Sequence, residues 1–503
     1  MESIKGFSLV NWIFVILGLI CAFICPAFIQ PWSTLTPAGV TIFFVFVGTL
    51  LMVIGSNSLI WPIFAAMAGL VAYGCTDGNA IAAALFSNGT VVMMLGVFPL
   101  SWALNESGFG YVVAHFLLTR KVLKGRPVLF TMVLFFALLV MAIFTSVFGA
   151  LMFGLPLVKT LCKQAGYDTD SQYYKLCQVG TYMFATMGCM FFPFTNGMVF
   201  ASLNSISTAF GAEVSTVAYT ISGLVVDVVF IIIYVLMMKF VFRADMSKMA
   251  NIDAGKLSSE GDNKVTKKQL VLVISFIIAA LYSFVVALLP AGAAITIFLS
   301  RFGGSLWFCM IVAILCIVHM DGKPIMDIRR ALKEGVDWNT LFAIGGFMML
   351  GNYVSSEDSG IMGWLSQVFK PILGGIDNIF VLMLIVCLIT IIVSNFFSNM
   401  MTVIIFGSVV GPFVANFTNI NPVVIMTALV FCAWNAYLTV AANGTAPILL
   451  GYEGIDTKFI WTKGIIITIV YAVVAALLFT FSHLYSPFFL RKLIDSDGVY
   501  QAT

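Results

Sequence analysis

The sequence predicts an all-α polytopic membrane protein, and its composition and charge pattern carry that prediction. Of the 503 residues, 61% are apolar and 9% are charged, whereas a soluble domain carries roughly 25% charged residues. Residues 6–76, 127–158 and 378–452 contain no Asp, Glu, Lys or Arg. The formal net charge is only +3, so the chain lacks a basic surface for a polyanion. These values exclude a soluble enzyme, a nucleic-acid-binding protein and a disordered chain.

The charge-free stretches divide into a similar series of elements in each half of the chain. A transmembrane helix needs about 20 apolar residues. The first half holds predicted crossings at 8–29, 39–55, 57–74 and 80–104, an amphipathic surface helix at 109–122, a hairpin in 127–158, and crossings at 176–210 and 214–238. The second half holds crossings at 269–290, 294–320 and 339–356, a surface helix near 361–371, a hairpin in 378–416, and crossings at 421–450 and 458–485. The total is about 11 transmembrane helices and two hairpins.

The hairpin in 127–158 is predicted from the length of that stretch and from the basic residues on both sides of it. Its 32 residues would form a helix about 48 Å long at 1.5 Å per residue, against a hydrocarbon core of about 30 Å. Arg126 and Lys159 border it, which places both ends on the same side of the membrane. Two short crossings with a tight outer turn would satisfy these limits. We favour a re-entrant hairpin whose tip, near 145–149, stops within the membrane.

Basic segments predict the orientation and the domain boundaries. Lys and Arg concentrate in 120–126, 239–268 and 323–333, and positively charged loops stay cytoplasmic. We therefore expect a multi-pass protein of the plasma membrane with a cytoplasmic N-terminus. The predicted domains are an N-terminal helix, a first inverted repeat, a cytoplasmic linker, a second inverted repeat and a C-terminal tail, at 1–38, 39–242, 243–268, 269–485 and 486–503.

Two local matches at one offset indicate that the halves are copies. Glu106-Ser107-Gly108-Phe109 resembles Asp358-Ser359-Gly360-Ile361, and Phe144-Thr145-Ser146 resembles Phe396-Phe397-Ser398. Each predicted repeat, without the N-terminal helix, contains five crossings, an odd number, so the copies have opposite orientations. Inverted repeats whose interrupted helices meet within the membrane are typical of secondary transporters.

Each repeat has one interrupted hairpin and one interrupted crossing, and these breaks carry polar groups. Backbone that leaves the helix at membrane depth must line a cavity or be buried in protein. The residues that we expect to bind substrate are Ser146, Thr195, Asn196, Gly197, Ser398, Asn399, Thr402, Asn443, Gly444 and Thr445. A single Asn-Gly or Pro in a membrane helix is more commonly only a kink, but four breaks in matching positions favour a shared site.

The breaks contain no Lys or Arg, so an anion bound there would need helix N-termini, amide groups and a co-bound cation. Ser394 and Ser398 share a helix face, and with Asn399 they offer hard oxygen ligands for Na⁺. Capping of the helix end is the alternative role for these three residues. The chain has no nucleotide-binding loop and no metalloprotease motif, so we expect no organic cofactor.

Asp227 is an isolated carboxylate within a predicted crossing. Charged groups at membrane depth are functional candidates by default. Asp227 could relay protons or could pair with a partner at a helix interface, and we favour the pairing role.

At the hairpin tips the sequence resembles the divalent-anion:sodium symporter family of the ion transporter superfamily. The resemblance extends from about residue 40 to 485 and is sharpest in Ser146 to Gly166 and in Ser398-Asn399-Met400-Met401-Thr402. That family has a Ser-Asn-Thr motif at each tip. The second tip keeps Ser398 and Asn399 with Met400 in place of Thr, and the first keeps only Ser146, followed by Val147 and Phe148.

The resemblance also implies which ion site is retained. The family places a Ser five residues before each motif Asn, where this chain has Ser394 in the second half and Ala142 in the first. It therefore implies one retained Na⁺ site, formed by Ser394, Ser398 and Asn399, and one lost site. It further implies a homodimer in which the hairpins and broken crossings move as an elevator against a fixed scaffold.

The sequence thus predicts a secondary active transporter of small organic anions, di- or monocarboxylates, in the lipid bilayer, and not an enzyme. Coupling to Na⁺, to H⁺ or to a counter-substrate stays open. The rival functions are a cation/proton antiporter of the same superfamily fold and a Na⁺-independent anion exchanger. A membrane-embedded enzyme is disfavoured because no cluster of His, Asp and Glu lies within the apolar stretches.

Overall fold

The computed structural model is mostly helical, as predicted, and describes most of the chain. The described residues are 9–56, 58, 60–86, 89–118, 121–145, 147–194, 199, 202–203, 216–251, 265–288, 294–336, 338–361, 363–364, 367–368, 378–396, 399, 402–403, 406–407, 422–439, 442–443 and 445–482.

Helices in the first half follow the predicted order. They are α1 Leu9–Phe23, α2 Cys25–Phe28, α3 Pro37–Ser56, α4 Ile60–Ala72, α5 Gly78–Phe86, α6 Gly89–Glu106, α7 Phe109–Leu118, α8 Pro127–Ile143, α9 Val147–Gln164, α10 Gln172–Met190 and α11 Thr216–Leu236. A proline begins α3 and α8, where its missing N–H leaves no helical bond unmade. The predicted surface helix at 109–122 corresponds to α7 and a short 3₁₀ turn, Lys121–Leu123.

Helices in the second half have corresponding positions. They are α12 Lys267–Leu288, α13 Ala294–Ile317, α14 Trp338–Ser355, α15 Ile379–Ser394, α16 Pro422–Trp434, α17 Ala446–Leu450 and α18 Ile465–Thr480. Helix α15 begins 252 residues after α8. Gly108 and Gly360, also 252 residues apart, both have positive φ, 72° and 64°. The opposite orientation of the two copies stays a prediction.

One short β-hairpin was not predicted. Strands β1 His319–Met320 and β2 Lys323–Pro324 pair in antiparallel fashion. The connecting residues Asp321 and Gly322 both have positive φ, as a tight Asp-Gly hairpin turn requires. The Asp-Gly pair was therefore a usable signal in the sequence.

By length and composition alone, three described helical segments could cross a membrane, at Gly78–Glu106, Thr216–Val241 and Thr457–Thr480. Several described apolar helices are shorter, including α8 and α15. The predicted hairpin in 127–158 is two helices, α8, which ends at Ile143, and α9, which begins at Val147. The depth of that tip in the membrane stays a prediction.

The described helices pack in two groups. One group contains α1, α3–α6 and α12–α14, and the other contains α8–α11 and α15–α18. The groups meet where α7 packs on α8 and where α11 packs on α12. Both interrupted hairpins and both interrupted crossings belong to the second group, so the residues of interest share one packing unit.

Ion pairs join the two halves of the chain within the second group. Lys159 on α9 pairs with Glu453, and Lys175 on α10 pairs with Asp456 at 2.7 Å. Tyr174 donates to the carbonyl oxygen of Glu453 at 2.9 Å. Asp456 lies in a loop, where the hydrogen bond from Lys175 holds the pKa of its carboxyl below the ordinary value. The loop after α17 is thereby fastened to α9 and α10.

Candidate functional site

The second hairpin breaks at Asn395, directly after α15. Its amide nitrogen donates to the carbonyl oxygen of Ile391 at 2.8 Å. This bond competes with the helical pattern, which is why Asn favours helix ends. The other end of the amide accepts from the backbone N–H of Leu438 at 2.6 Å, and the Thr439 hydroxyl donates to the Asn395 carbonyl oxygen. The hairpin tip is therefore bonded directly to the interrupted crossing.

The interrupted crossing leaves the helix earlier than predicted. Helix α16 ends at Trp434 and α17 begins at Ala446, whereas the predicted site residues of this crossing begin only at Asn443. Asn443 organises the described end of this break, since its side-chain oxygen accepts from the N–H groups of Thr445 and Ala446 at 3.0 and 2.9 Å. An Asx side chain satisfies in this way the free N–H groups at the start of a helix.

Asn443 also receives a bond from the other half of the chain. The buried Tyr182 of α10 donates its hydroxyl to the Asn443 side-chain oxygen at 2.9 Å. The Asn443 amide nitrogen donates to the carbonyl oxygen of Ala436 at 3.1 Å, and the Thr445 hydroxyl donates to the Asn443 oxygen at 2.8 Å. Both the oxygen and the nitrogen of the Asn443 amide are thus hydrogen-bonded within the protein. In the described contacts, Asn443 therefore holds the conformation of the loop.

The most informative group is a cage of oxygen atoms around Asn399. Oδ1 of Asn399 lies 2.9 Å from Oγ of Ser394 and faces the carbonyl oxygens of Ala442 and Ala433 at 2.9 and 3.1 Å. Ser394 Oγ donates to the Ala433 carbonyl oxygen at 2.7 Å. Ser394 is fully buried and Asn399 is 6% exposed.

The cage has two chemical interpretations that depend on the Asn399 amide. If nitrogen and oxygen exchange places, the amide donates to the three neighbouring oxygens and the cage is simply a hydrogen-bonded helix end. With the oxygen inward, Oδ1 would lie close to two carbonyl oxygens that have no proton to share, and a bound cation would be needed to offset the repulsion. The nitrogen-inward orientation satisfies both ends of the amide without an ion, so the cation interpretation requires the amide to turn when the ion binds. Hydroxyl, amide and carbonyl oxygens are the ligands that hard cations take.

Thr402 lies one helical turn after Asn399 and is fully buried. Among the described residues, no hydrogen-bond partner reaches its hydroxyl oxygen. The remaining predicted site residues, Ser146, Thr195, Asn196, Gly197, Ser398 and Gly444, lie outside the described part of the chain. The structure therefore brings together Ser394 and Asn399 with the break that Asn443 and Thr445 complete, all in the second repeat.

Sequence reasoning missed three kinds of participant. Asn395 lies inside the predicted break, but nothing distinguished it from its neighbours. The carbonyl oxygens of Ala433 and Ala442 are main-chain atoms, so the residue types at these positions do not reveal them. Tyr182 contacts Asn443 across the repeat boundary, and a single tyrosine in an apolar helix gives no signal.

The favoured pairing role of Asp227 finds no partner in the described part of the chain. Asp227 is fully buried in α11, and no hydrogen-bond donor among the described residues reaches either carboxylate oxygen. No group of three or more His, Cys, Asp or Glu that could hold a metal occurs among the described residues.

Comparison with known proteins identifies the family. The chain matches the family model described as the sodium:sulfate symporter transmembrane region over residues 10–485. The chain belongs to this family of sodium:sulfate symporters. The resemblance to divalent-anion:sodium symporters is therefore confirmed.

A relative and a solved structure agree with this family. An uncharacterized transporter of Methanocaldococcus jannaschii is 24% identical over 298 residues, which cover 55% of this chain and 61% of the relative. The chain thus matches about three fifths of that relative's length. The crystal structure of the Alcanivorax borkumensis YdaH transporter has a TM-score of 0.53 at 12% identity, with 88% of this chain and 98% of that chain covered. This second likeness shows the fold.

Proposed function

We propose that this member of the sodium:sulfate symporter family is a secondary active transporter of small organic anions, di- or monocarboxylates, coupled to Na⁺. The observation that carries the proposal is the oxygen cage of Ser394, Asn399, Ala433 and Ala442. Ser394 and Asn399 would hold the ion, and the predicted ligand Ser398 would complete the set. The bound Na⁺ would supply positive charge beside an anion in a region where the sequence has no Lys or Arg.

An organic anion fits the first hairpin tip better than sulfate does. Phe148 starts the second arm of that hairpin, and 56% of its surface is exposed. An exposed aromatic ring beside a substrate site gives apolar contact, which suits a carbon skeleton more than a tetrahedral inorganic ion. The Thr402 hydroxyl, which no hydrogen-bond partner among the described residues reaches, would bind the carboxylate.

Alternating access of the elevator type agrees with the two packing groups. All four interrupted elements belong to one group, so this group would carry substrate and ion together against the other. We further propose a homodimer in the plasma membrane with a cytoplasmic N-terminus.

Uptake into proteoliposomes tests the proposal. Liposomes containing the full chain receive radiolabelled succinate or sulfate, with an inward gradient of either Na⁺ or K⁺. We expect succinate uptake that requires Na⁺ and exceeds sulfate uptake. Uptake that is equal in K⁺ would indicate a Na⁺-independent exchanger, and preferred sulfate uptake would contradict the organic substrate.

Asn399→Ala assigns the Na⁺-dependent uptake to the cage. We expect uptake to be lost while size-exclusion profiles stay normal, because the amide contributes to the ion site. Ser222→Ala is the matched control, since Ser222 is fully buried but bonds only the Ala218 carbonyl of its own helix in the described contacts. Full uptake in Asn399→Ala would remove the cage from the mechanism.

A further inference from the structure

Asp227 is a buried acidic group that the proposed mechanism does not use. It lies in the middle of α11, Thr216–Leu236, with none of its surface exposed. Neither carboxylate oxygen has a hydrogen-bond partner among the described residues. Acidic groups within membrane segments are functional candidates because the apolar surroundings disfavour them.

The contacts of α11 show which helices Asp227 faces. Gly223, one turn before Asp227, is so close to Phe431 of α16 that an added Cβ would lie 2.8 Å from Cζ of that ring. Phe230, one turn after Asp227, stacks edge-on against Tyr471 of α18 with ring centroids 4.9 Å apart. Residues three and four apart share a helix face, so Asp227 lies on the face that packs against α16 and α18.

No cation lies near Asp227 on the helices that pack there. Helices α8, α16 and α18 contain no Asp, Glu, Lys, Arg or His. The lysines of α10 and α12 lie in their first turns, and Lys175 is already paired with Asp456. Tyr282 of α12 stacks instead on Trp307. The titratable groups in this neighbourhood are phenols and thiols, namely Tyr219, Tyr471, Cys189, Cys387 and Cys432.

An ionised carboxylate without a cation or a donor is strongly disfavoured in such a place, whereas the neutral acid is tolerated. Two further polar atoms on α11 and just after α16 also lack a hydrogen-bond partner among the described residues. They are the Tyr219 hydroxyl and the Asn435 side-chain oxygen.

A short stretch of α16 connects Asp227 to the oxygen cage. The carbonyl oxygen of Phe431 accepts from the Tyr471 hydroxyl and from the Asn435 amide, both at 3.2 Å. Two residues later, the carbonyl oxygen of Ala433 accepts from Ser394. Helix α16, against which the Asp227 face of α11 packs, therefore also supplies an oxygen to the cage.

We propose that Asp227 is a proton-binding site that moves with the substrate, so that anion transport is coupled to H⁺ as well as to Na⁺. On binding, an O–H bond of hydronium breaks, its proton forms an O–H bond at one carboxylate oxygen, and water is left. On release, that bond breaks, the electron pair stays on the carboxylate and water takes the proton. This inference rests on the proposed function.

Covalent labelling tests proton binding without a substrate. Dicyclohexylcarbodiimide reacts with carboxyl groups that are protonated in apolar surroundings. The reconstituted full chain is treated at pH 7 and its peptides are analysed by mass spectrometry. We expect a label on Asp227 and none on Asp245, an exposed loop residue whose carboxyl bonds Ser247 and has a lowered pKa. Absence of the label on Asp227 would overturn the proposal.

Proton flux tests the coupling. Liposomes loaded with the pH dye pyranine receive succinate and Na⁺ from outside. We expect the lumen to acidify with the wild-type chain and with Ser222→Ala, whereas Asp227→Asn loses the acidification and Asp227→Glu restores it. Acidification by a folded Asp227→Asn chain equal to wild type would refute the coupling. If the chain takes up neither succinate nor sulfate, the proposed function and the coupling fail, and the label alone decides whether Asp227 carries a proton.

Discussion

Ser394→Ala removes a fully buried hydroxyl from the oxygen cage, and the structure sets the size of the expected effect. Ser394 Oγ lies 2.7 Å from the Ala433 carbonyl oxygen and 2.9 Å from the Asn399 amide. Loss of one partner from a buried polar contact costs about 1–3 kcal/mol. Because 1.4 kcal/mol corresponds to tenfold in affinity, the Na⁺ concentration for half-maximal uptake should rise roughly 5- to 140-fold.

The assay is succinate uptake into proteoliposomes as a function of external Na⁺, together with the rise in melting temperature that Na⁺ produces. Thr390→Val is the matched control on the same helix, one turn earlier. Thr390 is equally buried, and its hydroxyl donates to the Val386 carbonyl of its own helix at 2.6 Å. An unchanged Na⁺ dependence in Ser394→Ala, or an equal shift in Thr390→Val, would refute the assignment of the cage to Na⁺.

Three further outcomes are expected. Val147→Asn combined with Phe148→Thr should raise succinate uptake or its response to Na⁺ in the same assay, because it restores polar groups at the first tip; unchanged kinetics would mean that this tip does not set selectivity. Gly360→Ala should lower the melting temperature more than Gly125→Ala. Both glycines have positive φ, which costs another residue about 1–2 kcal/mol, but only at the former would a Cβ come 1.8 Å from a backbone oxygen, and at the latter nothing lies within 4 Å. Equal losses would disprove the clash. Asp456→Asn should reduce the fall of melting temperature on acidification: the folded-state pKa of this carboxyl is lowered, so its stabilisation is present above the ordinary pKa of about 3.9 and is lost below it. If the melting temperature of the variant falls with pH as in the wild type, the ion pair does not contribute to stability.

The sequence predicted the helices well because membrane-spanning segments obey a simple rule. A segment in lipid must satisfy its own backbone and present apolar side chains, so charge-free stretches coincide with helices such as α3 and α11. Boundaries within breaks were predicted less well. Helix α16 ends at Trp434, well before Asn443, because Leu438 and Thr439 form hydrogen bonds with Asn395 of the second hairpin.

In the candidate site, only residues whose side-chain type and spacing point to a role could be predicted from the sequence. Ser394 and Asn399 were recognisable from their spacing and from the resemblance to the family. The role of Asn443 as a cap was not, because the same residue type serves both capping and ligand binding. The isolation of Asp227 could not be predicted, since the absence of a partner depends on how α16 and α18 pack around α11.

Two of the four oxygens in the cage belong to the main chain, at Ala433 and Ala442. Every amino acid carries the same carbonyl, so no point mutation deletes these atoms, and only a change in backbone path can displace them. In the proposed site, substitutions could therefore change the side chains while these two carbonyl oxygens stay in place. Relatives that share little sequence with this chain could retain the two main-chain oxygens in this way, whereas replacement of Ser394 or Asn399 would remove the rest of the proposed ion site.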